Sequence, residues 1–187
     1  MLRIIAGKYR SRKIEAPPYE ITRPTGDRMR EATFSKIQAK LPGKIFLDLF
    51  SGSGANPIEA VSRNAMKAIA VEKNKIAFSI LQDNVNKLGI NNIDLYHTDA
   101  LSFLKMKKGI KVDFIYLDPP FKDVELLNQV LETIIEFDFL SKNGMVIIET
   151  IENELLKIPD KYVVMNSKRD IKTYSNSKVM IFLHLNN

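Results

Sequence analysis

Apolar residues along this chain recur either as short unbroken runs or at spacings of three and four, and the two patterns take turns, which predicts strand followed by helix over most of the length. Ile45 to Leu49 predicts a buried strand, Pro57 to Asn64 a helix, Ala68 to Val71 a strand, and Ile76 to Leu88 a helix ending at Gly89, a residue suited to the position after a helix C-cap. Ile93 to Tyr96, Ala100 to Lys105, Val112 to Leu117, Val124 to Phe137 and Met145 to Glu149 continue the series as strand, short helix, strand, helix and strand. Tyr162 to Asn166 and Lys178 to Leu185 close the chain as two β segments, separated by a polar stretch too short for a helical crossover. The alternation predicts an α/β fold with a doubly wound, mostly parallel sheet, and the last pair an antiparallel C-terminal hairpin.

Ahead of this series, Leu2 to Ile5 and Ser11 to Glu15 predict a small hairpin joined by Ala6-Gly7-Lys8-Tyr9-Arg10 and broken off at Pro17-Pro18. Thr25 or Asp27 can cap a helix that carries Met29, Ala32, Thr33, Phe34 and Ile37 along one face and stops at Leu41-Pro42-Gly43. Residues 1–20 are thus expected as a hairpin extension and residues 21–187 as one domain.

Charge adds to this picture once it is located. Residues 1–36 hold nine Lys and Arg against four Asp and Glu, net +5 of the +6 carried by all 187 residues. Arg3, Lys8, Arg10, Arg12 and Lys13 on the hairpin, with Arg23 and Arg30 after it, form the kind of cluster that phosphate-backbone binding needs. A surface charge run of this sort also serves simple solvation. The 45% hydrophobic and 27% charged content is that of a soluble globular chain, and no run approaches the roughly 18 apolar residues of a membrane span. Met1 to Arg10 lacks the apolar stretch of a secretory signal. With no Cys and two separated His, His97 and His184, neither disulfides nor a zinc site are expected. Both His fall in apolar strand patterns and are expected to be structural, in a cytoplasmic, metal-free protein.

Asp118-Pro119-Pro120-Phe121, at the end of the Val112 to Leu117 run, carries the most specific chemistry. An exocyclic amine on a nucleobase is a poor nucleophile because its lone pair is delocalised into the ring. An enzyme that alkylates it must hold both N–H protons and turn the lone pair toward an electrophile. An ionised Asp118 can accept a hydrogen bond from one of these protons, and the Pro119 carbonyl from the other. Consecutive prolines have no N–H to give a neighbouring strand, so the chain leaves the sheet there, and Phe121 offers a face on which a base can stack.

Asp48-Leu49-Phe50-Ser51-Gly52-Ser53-Gly54-Ala55-Asn56-Pro57 follows the first strand of the series, and a strand, a Gly-rich turn and a helix start make a nucleotide-type site. The third glycine of a dinucleotide fingerprint is absent. Asn56 as N-cap, Pro57 as first helical residue and Glu59 as third make a sound helix start, at the loss of one N–H that a pyrophosphate would use. A carboxylate at Asp48 also suits a ligand with a positive group, and S-adenosylmethionine has a sulfonium and an ammonium. Glu72 and Asp99 end the next two strands, where acids can accept ribose hydroxyls and the adenine amine protons. Asp48 can alternatively brace its own loop, and Asp99 can cap a helix.

With these residues in place, the chain resembles the class I S-adenosylmethionine-dependent methyltransferases, and more narrowly the bacterial family that methylates the N2 amine of a guanine in 16S ribosomal RNA. The resemblance covers nearly the whole chain. It rests on Arg3-Ile4-Ile5-Ala6-Gly7, on Arg23-Pro24-Thr25-Gly26-Asp27-Arg28-Met29-Arg30-Glu31, on the Asp48 to Ala60 loop, and on Asp118-Pro119-Pro120-Phe121. It implies a Rossmann-like sheet with Asp48, Phe50, Gly52 and Gly54 around the methionine part of the cofactor, Glu72 on the ribose, and Asp99 with Ala100 on the adenine. Thr25 and Arg30 would help close the site. S-adenosylhomocysteine would be the product, and ribosomal RNA of the small subunit the partner of a monomeric enzyme. Asn56-Pro57 departs from the family pattern, which usually has a glycine at the second of these positions. Three other readings stay open: an adenine-N6 methyltransferase acting on RNA or DNA, a nicotinamide-dependent oxidoreductase, and a non-catalytic RNA-binding protein on a relic fold.

Overall fold

The structure, a computed structural model, describes residues 1–18, 27–119, 123–151, 155–164, 171–174 and 178–186. The chain divides into two compact units, Met1–Asp99 and Ala100–Asn187.

The first unit opens with a hairpin of β1 (Leu2–Arg3) and β2 (Lys13–Ile14), paired Leu2 to Ile14 and Arg3 to Lys13. These strands are shorter than the sequence predicts because the Ile5 and Ala6 amides are turned away from the partner strand, onto a carboxylate of a helix. Helix α1 (Asp27–Ile37) buries Met29, Arg30, Thr33, Phe34 and Ile37; of the expected face Ala32 is only half-buried, and Arg30 is added. Then follow β3 (Ile45–Asp48), α2 (Ala55–Ser62), β4 (Lys67–Glu72), α3 (Lys75–Lys87) and β5 (Ile93–His97). The three strands run parallel in the order β5-β4-β3, with Asp48 opposite Ala70 and Glu72 opposite His97. Asn74 caps α3, its side-chain oxygen accepting the amides of Ile76 and Ala77, and Gly89 at a φ of 64° ends the helix as expected.

Two expectations for this unit are corrected. Helix α2 starts at Ala55, two residues before Pro57, and Gly54 occupies the N-cap with no side-chain cap bond. A φ of 83° at Gly54 turns the chain straight into the helix, whose first bond runs from the Ile58 amide to the Gly54 carbonyl at 3.0 Å. Pro57 therefore falls inside the first turn, where its missing N–H leaves no helical bond unmade. His97 is exposed rather than packed in an apolar strand; it stacks on Phe78 at 4.9 Å and its Nε2 lies 3.2 Å from the Lys73 carbonyl.

The second unit comprises α4 (Ala100–Met106), β6 (Val112–Leu117), α5 (Val124–Glu136), β7 (Leu140–Ile151), β8 (Tyr162–Val163), β9 (Ile171–Thr173) and β10 (Lys178–Leu185). Strand β6 pairs parallel with β7, and β10 pairs antiparallel with β7, β8 and β9. The expected closing pair forms, with His184 opposite Val163. Its polar connection contributes β9, whose three exposed residues give no apolar signal. Strand β7 begins five residues earlier than the Met145 start predicted, because polar Ser141, Lys142, Asn143 and Gly144 interrupt the apolar run without breaking the strand. A Cβ on Gly144 would lie 2.7 Å from the Leu140 side chain, so the residue keeps the strand close to its own neighbour. Asp123 caps α5 by accepting the Leu126 amide at 3.0 Å, and Val124, Leu127, Val130, Leu131 and Ile134 form its buried stripe.

Tyr162, 5% exposed, donates its hydroxyl to the Leu131 carbonyl at 3.4 Å, and burial pushes its pKa above the ordinary 10.0. The fold favours the neutral phenol, so its contribution is complete below the unfolded value and is lost as the pH rises beyond it. Urea midpoints measured from about pH 8 to about pH 10.5 are expected to fall, and Tyr162→Phe to flatten that fall.

Candidate active site

The loop after β3 is held by its own hydrogen bonds. Asp48 is fully buried, and its Oδ1 accepts the Phe50 amide at 3.0 Å. Ser51 splices the end of β3 to β4: its amide donates to the Val71 carbonyl at 2.9 Å, its hydroxyl donates to the Asp48 carbonyl, and that hydroxyl accepts the Val71 amide at 3.1 Å. Gly52, at a φ of 51°, donates its amide to Glu72 Oε2 at 2.8 Å, while Glu72 Oε1 accepts the Asn74 amide at 2.7 Å. Gly54 donates to the Ser51 carbonyl at 2.7 Å, and a Cβ there would come within 2.4 Å of Leu81 Cδ1. Left-handed backbone and lack of space both demand glycine at 54.

Asp48 and Glu72 thus lie buried at the C-terminal ends of adjacent parallel strands, where ligands of open α/β sheets bind. Each braces the loop, and each carboxylate oxygen has a second lone pair for a ligand hydroxyl or ammonium. Asn56 is nine-tenths buried, and its Oδ1 has no hydrogen-bond partner, a further acceptor at the start of α2. No Lys or Arg occurs between Asp48 and Ser62. A donor set of two buried acids and an amide oxygen fits the sulfonium, ammonium and ribose of S-adenosylmethionine and opposes a pyrophosphate. Phe50 beside it is half-buried, and exposed Asp99 ends this unit two residues beyond β5.

In the second unit, Ala100 is buried as the first residue of α4. The β6–β7 ladder reaches Leu117 opposite Ile148, so half-buried Asp118 and buried Pro119 come where pairing stops. That is the position in which a proline costs no ladder bond. Phe121 lies outside the described residues, as do Arg23 and Thr25. Sequence reasoning missed a pair two residues before Asp118: Tyr116 donates its hydroxyl to Glu149 Oε2 at 3.0 Å, and both side chains are fully buried. An acid inside the apolar Met145 to Glu149 run was its signal.

Arg3, Lys8, Arg10, Arg12 and Lys13 are all exposed on the N-terminal hairpin. Arg30 is corrected. It has no exposed surface, and its Nη2 donates to the Arg3 carbonyl at 2.8 Å and to Asp27 Oδ1 at 2.7 Å, which makes it an internal strut rather than a phosphate contact. The hairpin is fastened to α2. Glu59, fully buried, accepts the Ile5 amide at 2.8 Å, the Ala6 amide at 3.0 Å and Arg63 Nε at 2.6 Å. Ser62 accepts the Tyr9 amide on its hydroxyl and the Lys8 amide on its carbonyl. A Cβ on Gly7 would fall 1.8 Å from that carbonyl. Ile4 and Ile14 complete the seal as buried apolar residues. Glu59 was expected to serve its own helix start; with α2 starting at Ala55 it reaches the hairpin instead.

These arrangements define a class I methyltransferase fold, and comparison with known proteins agrees. The solved structure described as "Putative methyltransferase yhhF from Escherichia coli" superposes with a TM-score of 0.86 at 27% identity, covering 98% of this chain and 97% of that one. The family model Conserved hypothetical protein 95 matches residues 2–182, and the chain belongs to that family. Among its relatives, Ribosomal RNA small subunit methyltransferase D of Buchnera aphidicola (subsp. Baizongia pistaciae) is 34% identical over 190 residues, 100% of this chain and 93% of that protein. The Escherichia coli K12 protein of the same name is 32% identical over 168 residues, 89% and 84% of the two chains. Among the described residues, no group of His, Asp and Glu could hold a metal ion, and no helix is long and apolar enough to cross a membrane.

Glu59→Ala would strand two backbone amides and leave the Arg63 guanidinium without its carboxylate, held by Gln38. The variant is expected to lose about 3–5 kcal/mol of unfolding free energy in urea, with amide exchange at Ile5 and Ala6 accelerating first.

Proposed function

We propose that this chain transfers a methyl group from S-adenosylmethionine to the exocyclic N2 amine of a guanine in small-subunit ribosomal RNA. The observation that carries the reading is the placement of Asp118 and Pro119 at the end of the β6 ladder, in a chain aligned over its full length with a ribosomal RNA methyltransferase. The buried acids of the Gly-rich loop and the exposed basic hairpin support it from two further sides.

S-adenosylmethionine supplies a methyl group made electrophilic by its sulfonium. The acids Asp48 and Glu72, with the loop they brace, hold and orient it through its ammonium and hydroxyls. A target guanine turned out of its stack offers two N2 protons. The Asp118 carboxylate accepts a hydrogen bond from one and the Pro119 carbonyl from the other, which turns the nitrogen lone pair toward the methyl. Phe121 supplies the stacking face. Asp118 need not be a strong base, because the amine becomes acidic only as the new N–C bond forms. The S–CH3 bond breaks as the N–C bond forms, leaving S-adenosylhomocysteine, and the methylated amine then gives its proton to Asp118 or through it to water; most of the acceleration comes from positioning.

Exposed Arg3, Lys8, Arg10, Arg12 and Lys13 dock RNA phosphates, and bonds from their segment to Glu59 and Ser62 on α2 limit how far that surface moves before RNA arrives. Ordered charges bind at a lower entropic cost than a flexible arm would.

Asp118→Ala is expected to abolish methyl transfer to unmodified small-subunit RNA while S-adenosylhomocysteine binds within about threefold of the parent affinity. Transfer at a comparable rate in that variant would contradict the assignment. Replacing Arg3, Arg10 and Arg12 with Gln should weaken RNA binding and lower the slope of log affinity against log salt by about 0.7–0.9 per lost contact; an unchanged slope would mean the charges are only solvated.

A further inference from the structure

Asn84, on α3, joins the basic hairpin to the Gly-rich loop through one side chain. It is 1% exposed. Its Oδ1 accepts the Glu15 amide at 2.8 Å, and its Nδ2 donates to the Glu15 carbonyl and to the Ser53 carbonyl, both at 2.9 Å. The orientation is fixed by chemistry, since a flipped amide would set an oxygen against two carbonyls and an N–H against an N–H. Glu15 directly follows β2, and Ser53 lies between the two loop glycines. Leu81, one turn earlier on the same helix, fills the space that a Cβ on Gly54 would need. Helix α3 therefore seats the loop with Leu81 and Asn84 together, and with Asn84 alone it also holds the end of the hairpin. A second tie runs through Glu59, which lies in the helix launched from Gly54 and holds Ile5 and Ala6.

We propose that Asn84 is a positioning residue that couples RNA on the hairpin to the cofactor loop. RNA occupancy tightens the hold on S-adenosylmethionine, and the cofactor tightens the hold on RNA by the same factor. The inference rests on the reading that the hairpin docks RNA and the loop holds the cofactor. Its physical basis is shared ordering. When Glu15 moves away, two of the three Asn84 bonds break, and the remaining bond to Ser53 loses the partners that hold the side chain in place. RNA that immobilises the hairpin removes those conformers, so the loop has less freedom left to lose when the cofactor binds. Linkage makes the effect reciprocal.

Hydrogen exchange on the full chain tests this, with unmodified small-subunit ribosomal RNA and S-adenosylhomocysteine as probes. In the parent protein, RNA without cofactor is expected to slow exchange in residues 4–15 and also in residues 51–56, and S-adenosylhomocysteine to slow both segments in turn. The Kd for S-adenosylhomocysteine should fall about fivefold or more when RNA is present. In Asn84→Ala each ligand should protect its own segment alone, and the Kd should no longer respond to RNA. Asn84→Asp keeps an acceptor for the Glu15 amide but cannot donate to the Glu15 or the Ser53 carbonyl, so RNA should still protect the hairpin while the loop stops responding. Protection of 4–15 without protection of 51–56 in the parent protein would overturn the coupling, whether or not the variants fold. So would full coupling in Asn84→Ala. RNA that leaves residues 4–15 unprotected would overturn the docking reading itself, and the coupling with it.

Discussion

Glu59 has no exposed surface, yet it accepts hydrogen bonds from two backbone amides of the hairpin and from Arg63. A carboxylate taken out of water is costly unless its lone pairs are filled, and here short, charge-assisted bonds fill them. Much of the first unit follows from that arrangement. The Ile5 and Ala6 amides are committed to Glu59, so the hairpin strands stop at two residues each. Glu59 reaches them because α2 starts early, and α2 starts early because Gly54 adopts a backbone conformation that a side chain would strain. A turn residue in the Gly-rich loop thus decides where a basic surface is displayed.

The loop itself is satisfied before any ligand arrives. Ser51, Asp48 and Glu72 take up its amides and bind it to the two strands it leaves and borders. A loop braced in this way has most of its ordering done before it binds. Its acidity selects for cationic and hydroxyl-bearing ligands. In the second unit, positioning comes from strand termination: the ladder with β7 reaches Leu117, the buried Tyr116–Glu149 bond anchors the residue before it, and Asp118 follows directly. A carboxylate set at the end of a rigid ladder is better placed to hold an amine than one on a long loop.

The parallel strands and long helices were legible because burial imposes periodicity. The runs around Ile45, Ala68, Ile93 and Val112 became β3, β4, β5 and β6 within a residue or so of the predicted limits. Short elements were not. Strand β9 lies exposed along β10 and carries no apolar pattern, and β7 continues through a polar stretch that alternation alone would end. Of the candidate site, the turn formed by Asp48, Gly52 and Gly54 after β3, with Glu72 at the end of β4, was legible as structure because strand and turn residues leave a local pattern. Asn84, Ser62 and Glu59 were not, since they reach backbone groups 31 to 69 residues away and leave no mark on local pattern. Arg30 misled for the opposite reason. It sits in a run of charges, and only its burial reveals that it braces Arg3 and Asp27.

The central claim is that this chain methylates a guanine amine in ribosomal RNA. The most direct test is transfer of isotopically labelled methyl from S-adenosylmethionine to small ribosomal subunits that lack native modification, followed by nucleoside mass analysis. Label recovered as N2-methylguanosine is the predicted result. Label recovered as N6-methyladenosine, or no transfer by a protein that binds the cofactor, would contradict it.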